Sequence, residues 1–125
     1  MAAARIIFVD DQSDFPLIRI LRKAGWRNVK LIKDVPTFNS PDIVGAAIIF
    51  VDIQGVGRAL DFKDEGLGLA KAIKTRFGES KKVVIYSAEP RGDTFHEAWD
   101  MVDGRLPKTA DPYQYLQMIE SLLGL

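Results

Sequence analysis

Three aspartates, a serine and a lysine stand where apolar runs of this chain stop. Ile6-Ile7-Phe8-Val9 runs into Asp10-Asp11, and Ala47-Ile48-Ile49-Phe50-Val51 runs into Asp52. Val83-Val84-Ile85-Tyr86 ends at Ser87, and a short stretch around Gly104-Arg105-Leu106 leads through Pro107 to Lys108. If these runs are parallel strands of one sheet, their C-terminal ends share one rim, where open α/β folds put their chemistry. Three carboxylates in one pocket repel one another. At about 4 Å and an effective dielectric near 20, each pair costs roughly 4 kcal/mol. Either their pKa values rise or a cation is bound. All-oxygen ligation by few protein groups suits Mg2+, which keeps several of its waters. Lys108 adds a second positive charge, and Ser87 a hydroxyl for a phosphoryl oxygen. In that setting Asp52 is a nucleophile for phosphoryl transfer, and its product is an acyl phosphate.

The elements that must position these groups follow from the apolar pattern. The runs at 5–9 and 47–51 are continuous, as strands buried on both faces require. Val29-Lys30-Leu31-Ile32 and residues 81–87 are further strands, and a very short one lies near 104–106. Between them fall helical stretches. The first starts near Ser13 as N-cap with Asp14 favourable to the dipole, tolerates Pro16 in its first turn and stops at Gly25. Leu17, Ile18, Leu21 and Ala24 form its inner stripe. Pro36 and Pro41 keep any helix between Asp34 and Gly45 short. Residues 66–77 carry Leu67, Ala70, Ile73 and Phe77 in helical register, and 94–102 carry Phe95, Ala98 and Val102. The last helix opens with Asp111 as N-cap and Pro112 at its first position, with Tyr115, Leu116, Ile119, Leu122 and Leu123 inward. Such strand–helix alternation predicts a doubly wound α/β fold: a five-stranded parallel sheet with right-handed crossovers and helices on both faces.

Composition excludes other classes. The chain has 125 residues, enough for one domain with a real core. Acidic and basic residues balance at 17 each, so no electrostatic footprint points to nucleic acid or an anionic membrane. No apolar run reaches the roughly 18–20 residues of a membrane span, and the N-terminus is too short for a signal peptide. There are no cysteines, which removes disulfides and thiolate metal sites and fits a cytoplasmic protein.

At the residues quoted first, the sequence resembles the receiver domain of response regulators, similar to CheY. The likeness covers nearly the whole chain, and Gly66-Leu67-Gly68-Leu69-Ala70-Lys71-Ala72-Ile73-Lys74 also looks like the family's third helix. It implies the flavodoxin-like strand order 2-1-3-4-5 and a single receiver over residues 1–125, with no output domain in this chain. It implies that Asp52 accepts a phosphoryl group from a phosphohistidine on a histidine kinase or histidine phosphotransfer protein. Asp11 and Asp52 would ligate Mg2+, with Asp10 acting largely through water and the backbone carbonyl of Gln54 completing the set. Lys108 would pair with the phosphoryl group, or with Asp52 when it is empty. Ser87 would move toward the phosphoryl oxygen and switch a protein-interaction face. Gln54 and Glu89 stand where the lifetime of the phosphorylated state is tuned. The chain would be a signalling phosphoacceptor in a two-component phosphorelay, not an enzyme beyond its own phosphorylation and dephosphorylation.

The sequence also departs from the family. The connection after Asp52 is long, and Val56 stands where a proline is common. Arg105 replaces the usual switch aromatic, and Thr109 follows the lysine instead of proline. Phe15, beside the acidic pair and off the apolar face of its helix, is a candidate contact for the phosphodonor. Tyr113 is a candidate for self-association as a homodimer through the last helix. A receiver-like interaction module that is not phosphorylated is the alternative. Other phosphate chemistries fit poorly: a haloacid-dehalogenase-type phosphatase needs a second acid where Gln54 stands, and no P-loop motif is present. A Rossmann or flavodoxin-like cofactor site needs a Gly- or hydroxyl-rich loop where Asp10-Asp11 lie.

Overall fold

A computed structural model describes residues 4–11, 16–53, 56–62, 65–87 and 97–125, with Arg58 and Ser87 described by backbone alone. Strands β1 (Ile6–Val9), β2 (Val29–Ile32), β3 (Ile48–Asp52), β4 (Lys82–Ser87) and β5 (Gly104–Pro107) form one parallel sheet in the order β2-β1-β3-β4-β5. The described helices are α1 (Leu17–Lys23), α2 (Pro41–Val44), α3 (Glu65–Phe77), α4 (Ala98–Met101) and α5 (Pro112–Leu122). No described helix is long and apolar enough to cross a membrane.

The two-residue period of the strands divides the core cleanly. Ile7, Val9, Ile49, Val51, Val83 and Ile85 face one way, onto Ile43 of α2, Leu67, Leu69, Ala70 and Ile73 of α3 and Ala98 of α4. Ile6, Phe8, Ile48, Phe50, Val84 and Tyr86 face the other way, onto Leu17, Ile18 and Leu21 of α1 and Tyr115 and Ile119 of α5. Both faces are therefore apolar, which is why β1 and β3 read as unbroken hydrophobic runs. On the second face Phe8 stacks on Phe50 with centroids 4.4 Å apart, and Tyr86 meets both rings edge-on.

Helix ends follow local chemistry. At α1 the Trp26 N–H donates to the Leu21 carbonyl and the Gly25 N–H to that of Arg22, a Schellman pair that needs the positive φ of Gly25, 107°. Ala24, expected on the buried face, is exposed, because the chain leaves the helix there. Ser13 and Asp14, the expected start of that helix, lie outside the described residues, as does Phe95. The start of α5 is as expected. Asp111 accepts from the Gln114 N–H at 3.1 Å and the Gln114 side chain accepts from the Asp111 N–H, a closed capping box.

The long connection between β3 and α3 is tied at both ends. The Gly66 N–H donates to the Ile53 carbonyl at 2.8 Å, closing its base. Val56 is fully buried among the core residues of the first face. From the end of β2, the Asp34 carboxylate accepts from the backbone N–H groups of Gly57 at 2.7 Å and Ala59 at 2.9 Å, and from its neighbour Val35. A Cβ on Gly66 would collide with the Asp52 carbonyl oxygen, so only glycine lets α3 begin against the end of β3.

Candidate functional site

β1 and β3 are adjacent and in register, Val9 beside Val51, so the residues that follow them emerge side by side. Asp10 and Asp52 are both buried, and Asp11 is exposed. Carboxylate oxygens of Asp10, Asp11 and Asp52 lie within 4.8 Å of one another. β5 delivers Lys108 to the same rim. Its ammonium is 2.9 Å from Oδ2 of Asp10 and 3.2 Å from Oδ2 of Asp52, bridging the two. Asp52 Oδ1 accepts from the Ile53 N–H at 2.8 Å. The four charged groups singled out in the sequence thus meet at one place.

The electrostatics of the cluster follow from burial. The Asp52 carboxyl is pushed up to about 6, first by burial and then by the charge of Asp10, against the pull of Lys108 and the Ile53 N–H. Burial opposes the charge on Lys108, but its hydrogen bond to Asp10 and the charges of Asp52 and Asp10 outweigh it, and its pKa is raised. Among the described residues, one ammonium therefore stands against three carboxylates that share a space of a few ångströms. The donor set is all oxygen and faces a partly open rim, which suits a hard divalent cation and is the wrong chemistry for a soft one.

Other predicted positions fall differently. Ser87 pairs across the sheet with Pro107, one residue from Lys108, so its backbone is on the correct rim. Arg105 is exposed on β5, and its guanidinium lies over the Trp99 ring at 5.6 Å, filling the place of an aromatic switch with a cation–π contact. Gln54, Glu89 and Phe15 lie outside the described residues.

Two residues at the rim escaped the sequence reading. In sequence Asp34 only opens an irregular stretch; its hydrogen bonds to three backbone N–H groups depend on the loop's path. Tyr86 was counted as a strand residue. It is fully buried, and its hydroxyl donates to Oδ2 of Asp10 at 2.9 Å. A buried phenol needs a partner, and that was the available signal.

No protein-family model matches the sequence, and no curated protein matches it. Solved structures do. A response regulator from Thermotoga maritima is 19% identical with a TM-score of 0.69, each chain covered to 98%. A CheY-like response regulator receiver domain protein from Methanospirillum hungatei JF-1 is 16% identical with a TM-score of 0.73, over 97% of this chain and 94% of that one. The fold is that of a CheY-like receiver domain. NtrX from Brucella abortus, in complex with ATP, is 24% identical with a TM-score of 0.73, and there the match spans 98% of this chain but 27% of that protein. The receiver fold accounts for the strand order and for the convergence of β1, β3, β4 and β5 on one rim.

Proposed function

We propose that this chain is a phosphoacceptor receiver in which Asp52 takes a phosphoryl group from a phosphohistidine of a histidine kinase or phosphotransfer protein. The observation that carries the reading is the Lys108 ammonium bridging Asp10 and Asp52 beside Asp11. In the reaction an Asp52 carboxylate oxygen forms a bond to phosphorus while the phosphorus–nitrogen bond to the donor imidazole breaks. The imidazole leaves with the electron pair of that bond and takes up a proton. Asp52 must be ionised to attack, and a carboxyl titrating at about 6 is mostly ionised at neutral pH.

Asp10, Asp11 and Asp52 would hold Mg2+, with the Gln54 carbonyl as a further ligand, and the ion when bound supplies positive charge to the phosphoryl oxygens. Lys108 supplies the other positive charge. Its ammonium is already within hydrogen-bond range of the acceptor oxygen and can follow the charge onto the phosphoryl group. A Lys108 drawn toward a phosphoryl oxygen loosens its hold on Asp10, and with Ser87 on the neighbouring strand this moves the rim that carries the signal to a protein partner. The chain acts as a cytoplasmic signalling component and turns over no substrate of its own.

The test uses a radiolabelled small phosphodonor, acetyl phosphate, with and without Mg2+. The expected result is stoichiometric, Mg2+-dependent labelling that Asp52→Asn abolishes. A native chain that no donor or kinase labels is a receiver-like interaction module instead.

A further inference from the structure

We propose that Tyr86 is a positioning residue of the acidic site, spanning the Asp10–Lys108 ion pair with its hydroxyl and its ring. Tyr86 lies one residue before the strand end and, by strand alternation, on the face opposite Ile85, among Phe8, Phe50 and Tyr115. That placement alone would make it a packing residue. Its polar end decides otherwise. The hydroxyl donates to Oδ2 of Asp10 at 2.9 Å, the same oxygen that takes the Lys108 ammonium at 2.9 Å. The Lys108 ammonium also lies 5.7 Å from the centre of the Tyr86 ring. One rigid side chain therefore fixes both members of the ion pair, and Lys108 in turn reaches Asp52.

The ring is held as firmly as the hydroxyl is directed. Tyr86 is fully buried and meets Phe8, Phe50 and Tyr115 edge-on. Asp10 is equally buried, so its carboxylate orientation is set by the protein donors that reach it. A hydrogen bond from outside the ligand set that orients a ligating carboxylate is a general determinant of cation affinity. Tyr86 fills that position for Asp10, and the Tyr115 hydroxyl donating to the Pro107 carbonyl at 3.3 Å braces the residue before Lys108. The aromatic layer between the sheet and α5 is thus wired to the site.

This inference rests on the receiver reading for its metal, and the experiment separates the two. Mg2+ binding to the full chain is titrated calorimetrically without phosphodonor, for wild type and Tyr86→Phe. Labelling by acetyl phosphate is then followed at saturating Mg2+. Removing the hydroxyl while keeping the ring is expected to weaken Mg2+ binding about tenfold. Labelling of the wild type tests the receiver reading on its own, separately from the Mg2+ affinity of the variant. A folded Tyr86→Phe chain with wild-type Mg2+ affinity overturns the proposal. If the wild type binds no divalent ion, or the variant does not fold, the Tyr86 hydroxyl proton decides. It is expected as a slowly exchanging NMR resonance in wild type that is displaced in Asp10→Asn, whereas a hydroxyl proton in free exchange with water overturns the tether.

Discussion

At the residue scale, carboxylates are kept close by a shared ammonium. Lys108 is mostly buried and pairs with two aspartates. Replacing it by methionine leaves both without their common cation, and breaking a buried pair in this way costs about 3 kcal/mol or more. Urea denaturation of Lys108→Met in divalent-free buffer is expected to show that loss, and added Mg2+ to recover part of it. The pH dependence has a defined sign. Asp52 titrates at about 6 folded, well above the 3.8 of an unperturbed aspartate, so between these values the folded state holds more protons than the unfolded one. Without divalent ions, the Asp52 contribution to stability is therefore full below about pH 4 and is lost as pH rises through 6. Asp52→Asn removes this penalty. At pH 7 it is expected to be more stable than wild type by about 3 kcal/mol, a gain that fades below pH 5. Equal denaturation midpoints at pH 7 would contradict the buried, poorly compensated carboxylate.

At the element scale, the strand ends deliver the chemistry and the loops hold it. Asp10, Asp52 and Lys108 were legible because each follows an apolar run, and parallel strands must release such residues on one edge. The loop after β3 was legible only as a long polar connection. Its order comes from Asp34, far away in sequence, and from Val56 turned into the core, and neither leaves a local pattern. Asp34→Ala is expected to speed amide hydrogen exchange at Gly57 and Ala59 while leaving β1 and β3 protected. Exchange unchanged at those two amides would show that the loop is held by other means. Gly66→Ala, by contrast, forces α3 away from the Asp52 carbonyl and is expected to lower stability and divalent binding together.

At the scale of the whole molecule, a parallel sheet with helices on both faces followed from strand–helix alternation and its order from the resemblance to receiver domains, and the structural neighbours carry the same fold. What the alternation could not convey is how the two faces differ at the rim. The face toward α3 is aliphatic along the central strands. The face toward α5 carries the rings of Phe8, Phe50, Tyr86 and Tyr115, and through Tyr86 it touches Asp10. Periodicity assigns a side to Tyr86 but not a partner, because the partner comes from a different strand. On β5, where the resemblance leads one to expect an aromatic residue, Arg105 rests on Trp99.

Whether Asp52 carries the phosphoryl group is decided by reductive trapping. After treatment with acetyl phosphate and Mg2+, borohydride converts an aspartyl phosphate to homoserine, which peptide mass spectrometry locates. Homoserine is expected at position 52, dependent on Mg2+ and absent without phosphodonor. Homoserine at another aspartate, or none in a folded protein that has bound Mg2+, would contradict it.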